Sequence, residues 1–229
     1  MRRSLSIVLA LVLSASTQSA ATAADASALV RQLGGFPAAI DPRIQSDTGQ
    51  AMAAEQRREA IYVQLRALGR SAVPALQRGL ADADVQIRRN VALYLGFEGG
   101  NYAKHVAEPL DLKPFLPQLS LALRDDDERV KSLSAQALEH VGPDAVVAVP
   151  DLVRLLADPS EALRNSACIA LAGIGPAARD ALPDLQRALS DPSVDVRRFA
   201  QRAIDRITVK DRPVRRYLAT KHMEATHRA

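Results

Sequence analysis

Tryptophan is absent from these 229 residues, and aromatic residues make up only 3%. That scarcity argues against a β-sandwich, whose strands draw heavily on Val, Thr, Tyr and Phe. There is one cysteine, Cys168, so no internal disulfide can form and packing alone must hold the fold. No Gly-rich phosphate loop, Gly-x-Ser-x-Gly elbow, Cys-x-x-Cys pair or haem-attachment motif occurs. Charge of one sign is also missing: 30 basic residues face 26 acidic ones, for a net +4. Arg2 and Arg3 supply two of those charges, which leaves +2 for the rest of the chain. A nucleic-acid surface normally shows a clustered basic face, and none is expected here. The greasiest run, Leu5–Leu13, is half the ~18 apolar residues that span a bilayer.

Apolar residues make up 48% of the chain, with Ala and Leu foremost. Both are strong helix formers, so the composition predicts an all-α protein with a close-packed core of small side chains. At the N-terminus, Met1-Arg2-Arg3, the apolar run and Ala21-Thr22-Ala23 form the charged, greasy and small-residue parts of a secretory signal peptide. Residues 1–23 are expected to be removed after Ala23, leaving a periplasmic or secreted protein that starts at Ala24. The twin arginine also suits the twin-arginine route, but the apolar run follows at once and favours general secretion. No cysteine near the cleavage point offers a lipid anchor.

The chain repeats itself. Pro74, Pro117, Pro150 and Pro183 fall at intervals of 43, 33 and 33. Asp82, Asp125, Asp158 and Asp191 share those intervals, as do Arg88, Lys131, Arg164 and Arg197. Three residue classes with one spacing define a repeat of 33 residues, with a ten-residue insertion within Gly99–Lys113. Each unit reads as two helices. The first carries the proline, which is expected to kink it. The second starts after the aspartate, which is expected to act as N-cap, with Glu128 or Glu161 closing a capping box. It ends near Gly142 or Gly175. With Ile87, Val130, Leu163 and Val196 taken as equivalent, the third unit carries apolar residues four, seven, eight and eleven positions on, Ala167, Ala170, Leu171 and Ile174, the pattern of one buried helix stripe. Helix 51–68 reads as a degenerate half-unit and N-terminal cap. Residues 24–50 read as a short helix near Ala28–Leu33 followed by a loop.

The runs Ile174-Gly175-Pro176, Ala181-Leu182-Pro183-Asp184-Leu185 and Asp191-Pro192-Ser193-Val194-Asp195-Val196-Arg197 resemble HEAT repeats, in the short bacterial form found in phycobilisome lyases. The resemblance covers about Leu68–Ile207. It implies a right-handed α-solenoid of about four helix pairs, at residues 70–99, 114–142, 143–175 and 176–208, within a repeat domain 51–208. A basic cap or tail, 209–229, follows with Arg212, Arg215, Arg216, Lys221 and Arg228. The resemblance further implies that the turn aspartates and the basic residues of the second helices form a ladder along the array. Asn90 departs from the pattern, standing where the other units have Leu133, Ser166 and Phe199, as suits an end unit.

The resemblance carries no function by itself, because such repeats serve many unrelated proteins. None of the four histidines precedes a glutamate, so a repeated His-Glu iron site is not implied. His105 and His140 lack a second ligand at helical spacing and read as surface residues, and no metal or cofactor is expected. Asp125-Asp126-Asp127-Glu128 reads as a helix N-terminus in preference to a calcium loop. Cys168 reads as a packed thiol. The expectation is a non-enzymatic, monomeric scaffold that binds another protein through the side of the second helices lining the concave groove. That side carries Arg89, Leu93, Gln136, Glu139, Asn165, Ile169, Arg198 and Arg202, and the insertion adds Tyr102, Lys104 and His105. The alternative is an enzyme or cofactor-handling protein, lyase- or chaperone-like, with a site built from residues outside any motif.

Overall fold

A computed structural model of the chain describes residues 23–36, 48–99 and 110–209. Residues 1–22 of the expected signal peptide 1–23, Tyr102, Lys104 and His105 of the insertion, and the tail from 210 onwards lie outside the described residues. Those described are helical, with no strand among them, and the protein is an all-α solenoid. They hold ten α-helices: α1 Ala23–Gln32, α2 Thr48–Leu68, α3 Val73–Gly79, α4 Val85–Gly99, α5 Leu116–Ala122, α6 Glu128–Val141, α7 Val149–Leu155, α8 Glu161–Ile174, α9 Leu182–Ala188 and α10 Val194–Ile207. Two compact units divide the chain, Met1–Tyr94 with Ala107–Leu110, and Leu95–Val106 with Asp111–Ala229.

In the second unit, α6, α8 and α10 pack side by side, and α5, α7 and α9 each back onto the long helix that follows. The periodic stripe explains this layer. On α8, Leu163, Ala167, Ala170, Leu171 and Ile174 are at most 1% exposed. The alanines let helices approach closely, and Gly173 takes this furthest. A Cβ there would lie 2.6 Å from the Glu139 backbone oxygen, so α6 and α8 touch almost backbone to backbone. Cys168, with neighbours on both sides, is fully buried. Burial pushes its thiol pKa up to about 12, which leaves it protonated and inert.

Two local expectations need correction. The prolines do not kink a helix. Pro117, Pro150 and Pro183 sit within the first two positions of α5, α7 and α9, each entered from a 3-10 stretch (Lys113–Phe115, Gly142–Ala148 and Gly175–Ala181). In a first turn the missing N–H has no intrahelical partner to lose, so proline fits there without bending anything. The second correction concerns the caps. Asp158 and Asp191 are not N-caps; Ser160 and Ser193, two residues later, are. Each aspartate accepts the N–H of that serine, at 2.9 and 2.8 Å, and so shapes the turn that presents the cap. In α6 the cap is Asp127, whose Oδ1 accepts from Arg129 N and Val130 N, while Asp125 accepts from Asp127 N. Gly142 and Gly175 end α6 and α8 at φ 70° and 66° with ψ −140°, a region closed to side chains with a Cβ. Thr208 holds the same place after α10 with φ −92°.

In the first unit, α1 lies against α2 and α3. It extends further than the short helix expected near Ala28–Leu33 and ends in a 3-10 turn, Leu33–Gly35. Its Val30 meets Gly79, where an added Cβ would come within 2.8 Å. Asn90 is fully buried, and its Nδ2 lies 3.0 Å from both the Leu33 and Phe36 carbonyls and 2.9 Å from that of Gln86. Tyr62 donates to the Asn90 carbonyl at 2.8 Å and stacks at a tilt on Tyr94, ring centroids 5.0 Å apart. Burial raises the Tyr62 pKa well above that of an ordinary phenol. The departure at Asn90 is therefore the residue that ties the end of α1 to α4.

Candidate protein-binding face

Two polar systems run along the second unit and set its repeat spacing. In one, Lys131 Nζ lies 3.4 Å from Asp158 Oδ2, and Arg164 grips Asp191 with Nε and Nη2 at 2.7 and 3.0 Å. The remaining Arg164 nitrogen, Nη1, donates to the Asp158 and Pro159 carbonyls, both at 3.0 Å. One guanidinium thus closes its own turn and reaches the next unit. Arg197 closes its turn the same way, onto the carbonyls of Asp191 and Pro192. Arg88, in the first unit, donates to the carbonyls of Asp82 and Ala83. The bond from Arg164, opposed by partial burial, holds the Asp191 carboxyl below its ordinary pKa.

The second system was not legible as such in the sequence. Glu128 and Glu161 do not close capping boxes on their own helices. Glu161 accepts from the hydroxyl of Ser193, the next cap, at 2.7 Å, and Glu128 accepts likewise from Ser160. The Ser193 hydroxyl meanwhile accepts from Val196 N at 3.4 Å. Serine at the cap and glutamate at the first helical position look like a local signature, and the partner is in fact one unit away.

Between the first helices, Asp151 is nearly buried and is gripped by Arg124 at 2.9 and 3.1 Å, with Arg154 at 2.6 Å and Ser120 at 3.3 Å. Every carboxylate oxygen there is taken, so the cluster cross-links α5 and α7 and offers nothing to a ligand.

The face expected to bind a partner is less uniform than the repeat suggests. Leu93 is 8% exposed and cannot contribute. Val91 to Leu95 are all buried, because α4 is apolar on nearly every side and lacks a free polar face. Arg89 is half-buried in the first unit and already has a partner. In the second unit Gln136 is exposed, and Glu139, Asn165 and Ile169 are half-buried. Asn165 Oδ1 is enclosed and has no hydrogen-bond partner among the described residues. Arg198 is exposed but engaged: it pairs with Asp195 at 2.9 Å and lies over the Phe199 ring, 5.0 Å from its centroid.

Glu139, Ile169 and Arg202 come together. With Ala172, Gly173, Phe199 and Arg206 they line a hollow of about 30 Å³ across α6, α8 and α10. Its floor is apolar; Glu139 stands at one rim and two exposed arginines at the other. Arg202 and Arg206 have no ion-pair partner among the described residues. Sequence reasoning missed Arg206, Phe199 and Gly173. The signal was present in Arg202 and Arg206, four residues apart and therefore on one helix face. No three His, Cys, Asp or Glu side chains group as a metal site among the described residues.

This architecture is that of helical repeat proteins, and comparison agrees. Residues 116–219 match the family model described as HEAT repeats. No curated protein matches the chain. Among solved structures it is similar to an engineered protein at 21% identity and TM-score 0.56, over 81% of this chain and 80% of that one. It is similar to computationally designed armadillo repeat proteins for modular peptide recognition, at 22% identity and TM-score 0.54, over 80% and 82% of the two chains. It is also similar to the complex of CpcE and CpcF of phycocyanin lyase from Nostoc sp. PCC7120, at 26% identity and TM-score 0.51, covering 76% of this chain and 69% of that one.

Proposed function

We propose that this protein is an exported HEAT-repeat scaffold that binds another protein through the exposed side of α6, α8 and α10. The observation that carries this reading is the hollow itself. The second helices of three successive units contribute to it, its floor is apolar and its rims are charged, and it is small. Small-molecule and cofactor sites enclose about 300–1,000 Å³, an order of magnitude more. A small apolar floor with a charged rim suits a side chain from a docked protein segment. The peptide recognition named for the designed armadillo proteins is in keeping with this use of a helical array. Export rests on the charged, apolar and small-residue pattern of residues 1–23.

A second reading follows from the likeness to the phycocyanin lyase complex, in which this fold takes part in an enzyme. It would place a lyase-like or cofactor-handling site on the same helices.

Two experiments test these readings. Intact mass of the protein recovered after export should give a start at Ala24; a chain retaining Met1 in the cytosol overturns export. Ile169→Arg fills the hollow with a charged side chain and should abolish partner binding, with helicity by circular dichroism unchanged. Undiminished binding would move the partner site off this face.

A further inference from the structure

Resting on that reading, we infer that the hollow recognises an acidic protein segment: two carboxylates one helical turn apart, with a small apolar side chain between them. Arg202 and Arg206 project from one face of α10, both exposed, both lining the hollow and neither paired among the described residues. Two like charges at this spacing repel each other. Elsewhere on α10 the arginines are satisfied: Arg197 by the Asp191 and Pro192 carbonyls, Arg198 by Asp195 and the Phe199 ring. The unpaired charge is therefore confined to the rim of the hollow.

The same helix also sets the ligand chemistry. Guanidinium forks bind carboxylates through paired N–H groups, and the second unit does this internally where Arg164 takes both oxygens of Asp191. Arg202 and Arg206 can each offer such a fork, spaced for carboxylates four residues apart on a docked helix. The floor of Ile169, Ala172 and Phe199 supplies the apolar contact. The hollow is small, about 30 Å³, and suits a small apolar side chain such as Ala or Val. Gly173 lets α6 and α8 approach closely beneath the hollow, since a Cβ there would collide with Glu139. Glu139 on the α6 rim fixes direction: the acidic pair lies over α10, and an acid placed over α6 is repelled.

The test is selection of a random 12-residue peptide library, displayed on phage, against the protein and against an Arg202→Gln/Arg206→Gln variant. Enriched sequences should carry two Asp or Glu residues three or four apart around Ala or Val. Synthetic peptides of that sequence should bind the variant at least tenfold more weakly and lose affinity as salt is raised. Enrichment of neutral or basic sequences that Ile169→Arg abolishes overturns the acidic ligand and leaves the binding face standing. Equal binding of the acidic peptide by the arginine variant also overturns it. No enrichment on the protein overturns both. Glu139→Lys is the positive control for direction: it should strengthen binding of the acidic peptide and weaken a peptide with a basic residue at the α6 end.

Discussion

The two units solve the same packing problem by different means. In the second, equivalent residues at 33-residue spacing make similar contacts, and the links between neighbours are exchanged polar groups: Arg164 with Asp191, Ser193 with Glu161. In the first, the contacts are of another kind: α1 lies against α2 and α3. A short helix, α1, covers the exposed side, and one buried asparagine holds it there. Regular repeats gain stability from many small equivalent interactions. An end gains it from a few that cannot be replaced by the repeat's own residue.

The contrast can be broken most severely in the regular core. Leu171→Ala should cost roughly 2–5 kcal/mol, because Leu171 is fully buried and a cavity would remain. Gln186→Ala, exposed on α9, should cost little. Urea denaturation ranks the pair. The reverse order would mean that the stripe has been placed on the wrong face.

Next comes the end unit. Asn90→Leu installs the residue found at the same repeat position in Leu133, yet should destabilise by about 1–3 kcal/mol, the cost of leaving buried carbonyls unpaired. Hydrogen exchange should quicken first in α1. A neutral or stabilising result would show that the end obeys the same rule as the interior.

Smaller still is the loss of a cap. Ser193→Ala removes both the bond to Val196 N and the link to Glu161 and should cost about 1 kcal/mol by thermal melting. Glu161→Gln should lose a fraction of that. If Glu161→Gln has the same effect in the wild-type and Ser193→Ala backgrounds, the link between units contributes nothing.

The subtlest test uses pH. Arg164 lowers the pKa of Asp191 on folding. Its contribution is therefore complete above the unfolded value, about 4, and is lost as pH falls through the lower folded value. Asp191→Asn should be less stable than wild type at neutral pH, and the two should converge in acid. Parallel pH profiles would remove the ladder from the list of stabilising contacts.

Much was legible from the sequence alone. The 33-residue spacing of proline, aspartate and arginine fixed the helix pairs, because each class answers a local backbone need: a first turn, a loop, a carbonyl to bind. The apolar stripe fixed which side of α8 is buried, because helical geometry leaves no choice once the period is known. Other features depended on neighbours distant in the chain. Serine, not aspartate, became the cap, because the aspartate was spent shaping the turn. Leu93 and Gln136 occupy equivalent positions, yet one is buried and the other exposed, since burial depends on what lies alongside. Arg202 and Arg206 could be counted from the sequence, but only packing decided that Arg198 is engaged and these two stand over an apolar hollow. Local chemistry sets which helices form and which way they face; the side chains left unpaired on the surface are fixed only when the helices meet.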